Sequence, residues 1–158
     1  MAKPLSDKII DSIDAAAELY YRLIMVVAPV GMGKTAALRE VNERMNAPLM
    51  NINLDLSRRM LDLTERQRAL QLPRLLSEIV NAFENEVILL DNIEILFDVS
   101  LKQDPLRLLQ GLSRNKTIVA TWGGTIDGEH MTYATSDHPE YKRYPVRDVL
   151  IVAPEVAA

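Results

Sequence analysis

Residues 23–35 read LIMVVAPVGMGKT. Leu23 to Ala28 form an unbroken apolar run, the composition of a strand buried on both faces. Gly31 and Gly33 then punctuate the chain, and Lys34-Thr35 opens a segment, about 34–45, whose Ala37, Leu38, Val41 and Met45 share one helical face. A strand, a glycine loop and a helix start, in that order, build a phosphate cradle. The glycines let successive backbone N–H groups turn inward, and the helix N-terminus adds free donors and the positive end of its dipole. The expected phosphate-binding residues are Ala28, Pro29, Val30, Gly31, Met32, Gly33, Lys34, Thr35 and Ala36. Lys34 is placed to reach the β- and γ-phosphates of a nucleotide, and Thr35 to offer its hydroxyl to Mg²⁺.

The stretch 28–35, APVGMGKT, is similar to the Walker A motif of P-loop NTPases, with Ala28 standing where the first glycine usually stands. A second stretch, 87–94, reads VILLDNIE and resembles a Walker B motif. Its apolar run buries the strand and leaves Asp91 at the C-terminal end, the edge at which open α/β sheets bind ligands. Asp91 and Thr35 are the expected magnesium residues. Many ATPases carry glutamate directly after the Walker B aspartate, and here that position is Asn92. Hydrolysis needs a group that orients or deprotonates the attacking water. Glu94, in the pattern D-N-x-E, is the nearest replacement. Thr121, ending the apolar segment 117–121 (TIVAT), resembles a residue that hydrogen-bonds the γ-phosphate or its water. In ring-forming ATPases an arginine finger often comes from the region before the last strand of a neighbouring subunit, where this chain has Arg143 and Arg147.

Further apolar segments extend the pattern. Strands are expected at about 23–28, 49–54, 87–90, 117–121 and 148–153. Helices are expected at about 6–21, 34–45, 73–83 (with Pro73 in the first turn) and 105–114. Strands alternating with helices predict an α/β protein: a mainly parallel five-stranded sheet between two helix layers, the three-layer P-loop NTPase fold, in one domain spanning 1–158 with no separate lid domain. The charged stretch 55–72 has no clear period. The Gly-, Thr- and Tyr-rich segment 123–145 reads as a hairpin or an ordered loop, long enough to suggest a functional insertion. Trp122 is expected against the sheet rim. Arg58, Arg59, Arg66, Arg68 and Arg74 read as a solvated helical face interleaved with Asp62 and Glu65, or else as a local patch for a partner or DNA. Ser136, Asp137 and His138 are adjacent in one turn and cannot converge as a catalytic triad.

The 158 residues carry a net charge of −4, so no bulk basic field draws in nucleic acid. The absence of cysteine excludes disulfides and thiolate zinc sites. The start of the chain, MAKPLSDKII, has no signal-peptide core, and no apolar run is long enough to span a bilayer, which together predict a cytoplasmic protein.

The short length, APVGMGKT near the start, LLDNIEILF in the middle and HPEYKRY before the last strand resemble the small BrxF-type P-loop ATPases of type III BREX bacteriophage-exclusion systems. The resemblance implies an ATP- and Mg²⁺-dependent subunit of a bacterial phage-defence complex, working beside other subunits or as a homo-oligomer, with any DNA contact made only through partners or a local basic patch. Two other functions fit the same motifs: a nucleotide-dependent adaptor that does not hydrolyse ATP, for which Asn92 speaks, and a small nucleotide or small-molecule kinase, which would require an arginine-rich lid that does not stand out.

Overall fold

The computed structural model describes residues 4–28, 33–127, 130–133, 142–145 and 149–154. The elements follow in the order α1 (Leu5–Ala16), β1 (Leu23–Val27), α2 (Lys34–Met45), β2 (Leu49–Asn51), α3 (Ile52–Arg59), α4 (Glu65–Asn81), β3 (Val87–Asp91), α5 (Pro105–Leu112) and β4 (Thr117–Trp122). After them come β5 (Thr125–Asp127), β6 (His130–Tyr133), β7 (Lys142–Pro145) and β8 (Leu150–Val152). Two 3₁₀ turns, Glu94–Phe97 and Val99–Leu101, link β3 to α5.

The five expected strands form one sheet in the order β2-β3-β4-β1-β8, and every pairing is parallel. Alternation along β1 divides the core in two. Leu23, Met25 and Val27 face the layer of α3, α4 and α5, joined there by Ile52, Leu76 and Leu109. Ile24 and Val26 face the layer of α1 and α2, joined there by Ile9, Ile13, Leu38 and Val41. This is the three-layer α/β/α architecture. All the residues of β1 and β4 are buried, as the continuous apolar runs require. No described helix is long and apolar enough to cross a membrane.

Three boundaries depart from the expectation. The first helix ends at Ala16 rather than near 21, because its apolar face runs out of partners: Tyr20 lies 65 % exposed. The strand expected over 49–54 stops at Asn51, whose side chain accepts from the Leu54 N–H and caps α3. The helix expected to begin at Pro73 begins eight residues earlier, at Glu65. Thr64 and Gln67 form a reciprocal capping box there, and Pro73 lies inside the helix. A mid-helix proline removes the N–H that the carbonyl four residues back would accept. That carbonyl belongs to Ala69, and Gln103 supplies the missing donor: its Nε2 donates to Ala69 O at 2.7 Å and to Leu101 O at 2.7 Å. Gln103→Ala is expected to lower stability by about 1 kcal/mol, roughly 2–4 °C in thermal midpoint for a chain of this size. Thermal unfolding of the two proteins checks it.

Segment 123–145 contributes β5, β6 and β7, a three-stranded antiparallel sheet. It is fastened to the end of β4. Trp122, the last residue of that strand, is fully buried, and its indole Nε1 donates to Thr132 O at 2.9 Å. Its ring meets Phe97 and Tyr144 edge-on, at centroid distances of 5.1 and 5.8 Å. Gly124 passes so close to β6 that a Cβ there would lie 1.8 Å from Thr132 O. Burial holds the Tyr144 hydroxyl above its ordinary pKa, and the neighbouring Asp104 carboxylate, its hydrogen-bond partner, raises it further. Ser136, Asp137 and His138 lie outside the described residues.

Within the arginine-rich stretch, Arg59 and Arg74 approach Glu78 at 3.7 and 3.6 Å. Arg68 Nε donates to the carbonyls of Met60 and Leu63, closing the turn between α3 and α4.

Candidate functional site

Three chain segments converge at the C-terminal edge of the sheet: the start of α2, the end of β3 with the turn after it, and the end of β4. Together Gly33, Lys34, Thr35, Ala36, Asp91, Asn92, Glu94 and Thr121 line one cleft of about 270 Å³. The parallel order puts β3 and β4 side by side, so Asp91 and Thr121 meet at the strand ends.

Asp91 is the centre of the cleft's polar network and is only 6 % exposed. Its Oδ2 accepts from the Thr35 hydroxyl at 2.7 Å, and its Oδ1 accepts from the Thr121 hydroxyl at 2.9 Å. The Asn92 N–H donates to the same Oδ1 at 3.0 Å. A buried carboxylate with three donors is well satisfied.

Gly33 precedes α2 with φ of +85°, a left-handed conformation that glycine adopts at little cost. Lys34 follows as the first helical residue. Its Nζ donates to Ala28 O at 2.7 Å, across the mouth of the loop. Burial pushes the Lys34 ammonium below its ordinary pKa, while the Asp91 and Glu94 carboxylates pull in the other direction. Ala28 itself is pinned to β4, its N–H donating to Trp122 O at 3.2 Å.

Glu94 stands exposed on the first 3₁₀ turn. Its Oε2 accepts from Asn53 Nδ2 at 2.9 Å. Asn53 belongs to α3 and makes two more bonds to the same turn: Oδ1 accepts from Ile95 N–H at 2.7 Å, and its own N–H donates to Asn92 O at 2.8 Å. Asn53 thus ties Glu94 to the end of β2. The strand expected over 49–54 hid this residue, which the early start of α3 brings to the ligand edge. The usable signal was its place, two residues beyond a strand end on that edge.

Of the other expected site residues, Arg143 lies in β7, opposite Thr132 in register. Pro29, Val30, Gly31, Met32 and Arg147 lie outside the described residues. Among the described residues no arginine lines the cleft.

The donors present suit magnesium. One hydroxyl and one carboxylate are hard oxygen ligands, and Mg²⁺ commonly takes one or two protein oxygens, completing its shell with water and substrate phosphates. Among the described residues no group of three His, Cys, Asp or Glu forms a cage able to hold a metal by itself. Thr35 and Asp91 would hold the ion, which when bound would neutralise charge on the phosphate oxygens.

Compared with curated proteins, the chain has no match. Residues 24–121 match the family model described as AAA, the ATPase family associated with various cellular activities. The matched span starts in β1 and ends at Thr121, so it includes every described residue that lines the cleft, and it covers more than half of the chain. Membership implies nucleotide binding, typically with Mg²⁺. The parallel sheet, the glycine turn into α2 and the family match agree, and the chain belongs to the AAA family of ATPases.

Proposed function

We propose that this protein binds ATP with Mg²⁺ in the cleft around Asp91 and hydrolyses it, as a subunit whose activity depends on assembly. The observation that carries the reading is the arrangement around two carboxylates. Asp91 is buried and faces Thr35 at the head of α2, while Glu94 is exposed and held by Asn53 at the cleft's rim. In this reading Asp91 serves the metal and Glu94 accepts a proton from water. Thr121 would sense the γ-phosphate. In an assembly, the cation that stabilises the transition state would come from a neighbouring molecule, Arg143 or Arg147 of a second copy being the first to test. The resemblance to BrxF-type proteins supports a role among the subunits of a bacterial phage-defence complex.

Steady-state ATP hydrolysis across a protein concentration series tests the reading, with Lys34→Ala as control. Turnover per subunit that rises with concentration and vanishes in the control supports an assembling ATPase. Brisk turnover independent of concentration removes the assembly part. Asn92 favours a second reading, an adaptor that binds ATP without consuming it and uses it to order a docking surface. Absence of turnover at every concentration, with binding intact, selects that reading.

Asn53 acts as a positioning residue in this scheme. Asn53→Ala frees Glu94 and the Ile95 N–H, and turnover is expected to fall roughly tenfold with ATP affinity unchanged. Parallel measurement of kcat and the ATP dissociation constant checks it.

A further inference from the structure

Two exposed surfaces on opposite sides of the sheet have complementary composition. The first is a groove of about 500 Å³ between α4 and the second 3₁₀ turn, lined by Glu65, Arg66, Ala69, Leu70, Ser100 and Lys102. Leu70 is 72 % exposed, and Val99 on the same turn is 55 % exposed. Exposed aliphatic side chains gathered at a groove, unlike single scattered ones, mark an interaction surface. Arg66 and Lys102 set two cations against the one carboxylate of Glu65, and among the described residues neither cation has a hydrogen-bond or ion-pair partner for its side chain. The groove is preformed. Gln103 Nε2 donates to Ala69 O on one wall and to Leu101 O on the other, and Asp98 Oδ1 accepts from the Ser100 N–H and hydroxyl.

The second surface is the end of α1. The chain keeps turning past Ala16, with the Ala17 N–H donating to Asp14 O and the Leu19 N–H to Ala16 O. Asp14 and Glu18 are exposed there, followed by Leu19 and Tyr20, which are 43 % and 65 % exposed. Among the described residues neither carboxylate has a side-chain partner. The Arg114 guanidinium lies over the Tyr20 ring, 4.8 Å from its centroid, and Tyr21 meets it edge-on at 4.7 Å. A tyrosine held in this way loses little further freedom on docking.

We infer that the α1 end of one copy docks in the α4 groove of another. This rests on the reading that activity depends on assembly, and it names the joining surface. Leu19 and Tyr20 cover Leu70 and Val99, while Asp14 and Glu18 meet Arg66 and Lys102. Opposite charges around an apolar centre fix both the register and the partner. α1 packs on one face of the sheet and α4 on the other, so a single chain does not bring its own two surfaces together. The contact is therefore head-to-tail, and a pair of copies keeps one groove and one α1 end free for the next. Glu65 and the aliphatic lining suit a polypeptide better than a nucleic-acid strand, which favours stacking rings and a groove of cations.

Charge reversal tests this by sedimentation velocity at about 1–500 µM protein with ATP and Mg²⁺. The groove variant carries Arg66→Glu and Lys102→Glu, and the ridge variant carries Asp14→Lys and Glu18→Lys. These positions are exposed, so thermal stability and ATP affinity are expected to stay close to the original. Each variant alone is expected to associate at least about tenfold more weakly. An equimolar mixture of the two is expected to recover to within about threefold, because reversed grooves then meet reversed ridges and native grooves meet native ridges. Leu70→Ser, which changes no charge, is expected to weaken association as well. The inference is overturned if either variant assembles like the original, if the mixture stays dissociated, or if Leu70→Ser has no effect. It is also overturned if the groove variant loses a fluorescent single-stranded oligonucleotide that the original binds while its sedimentation is unchanged, which would assign the groove to nucleic acid. Assembly that ignores both reversals removes this inference alone. A protein that stays monomeric throughout, with turnover independent of concentration, removes the assembly reading with it.

Discussion

Lys34→Ala is expected to weaken ATP binding by roughly 30-fold to several-thousand-fold, the penalty of about 2–5 kcal/mol that follows removal of one partner from a desolvated charge pair. Lys34 stands at the first position of α2, between the Ala28 carbonyl and the carboxylates of Asp91 and Glu94. Its ammonium is already partly desolvated, so a phosphate chain meets a cation that has shed part of its hydration. Its Nζ donates to the backbone carbonyl of Ala28 at the cleft's mouth, a contact whose loss the fold is expected to tolerate. The variant should therefore unfold within a few degrees of the original while losing ATP and ADP alike. Titration with a fluorescent ATP analogue, beside thermal unfolding, separates the two effects. A fall in stability matching the fall in affinity would mean that the lysine holds the loop and not the nucleotide.

Asp91 is the second residue with a large expected effect, and its two substitutions part company. Asp91→Ala removes the acceptor of two hydroxyls and one N–H at a site only 6 % exposed. Hydrogen bonds to a charged group contribute about 1.5–3 kcal/mol each and are not additive, so a loss of roughly 2–4 kcal/mol in stability is expected. Asp91→Asn keeps the shape and can still accept from a threonine, but it lacks the charge that attracts a divalent cation. It should fold, bind ATP without metal about as well as the original, and lose the gain in affinity that Mg²⁺ brings. Its turnover should drop by at least about 100-fold, the scale expected when electrostatic stabilisation of the transition state is lost. Nucleotide titrations with Mg²⁺ and with a chelator, on both variants, read these differences.

Much of this was legible because a few local signals were unusually clean. Buried parallel strands have no alternation to decode, and LIMVVA, VILLD and TIVAT announce themselves as continuous apolar runs. The glycine-lysine-threonine junction and the aspartate ending an apolar run mark the ligand edge without any tertiary information. The misses have separate causes. Pro73 looks like a helix start because its missing N–H normally ends a helix, and only Gln103, 34 residues from Ala69, makes the interior position tolerable. Ile52, Asn53 and Leu54 read as strand until the Asn51 side chain is seen to cap the next helix. Asn53 has no motif of its own. Its role comes from the mutual approach of the α3 start and the turn after β3, which no spacing rule encodes. The three-stranded sheet was ambiguous because β5 has three residues and β6 and β7 four each, too few for a period to show.

Calorimetric titration of ATP into the unaltered protein, with Mg²⁺ and then with chelator, tests the central claim most directly. The account predicts one ATP per chain, affinity at least about tenfold weaker without the metal, and loss of binding in Lys34→Ala. Failure of ATP to bind at millimolar concentration, or equal binding by Lys34→Ala, would contradict a nucleotide site built on Lys34, Thr35 and Asp91.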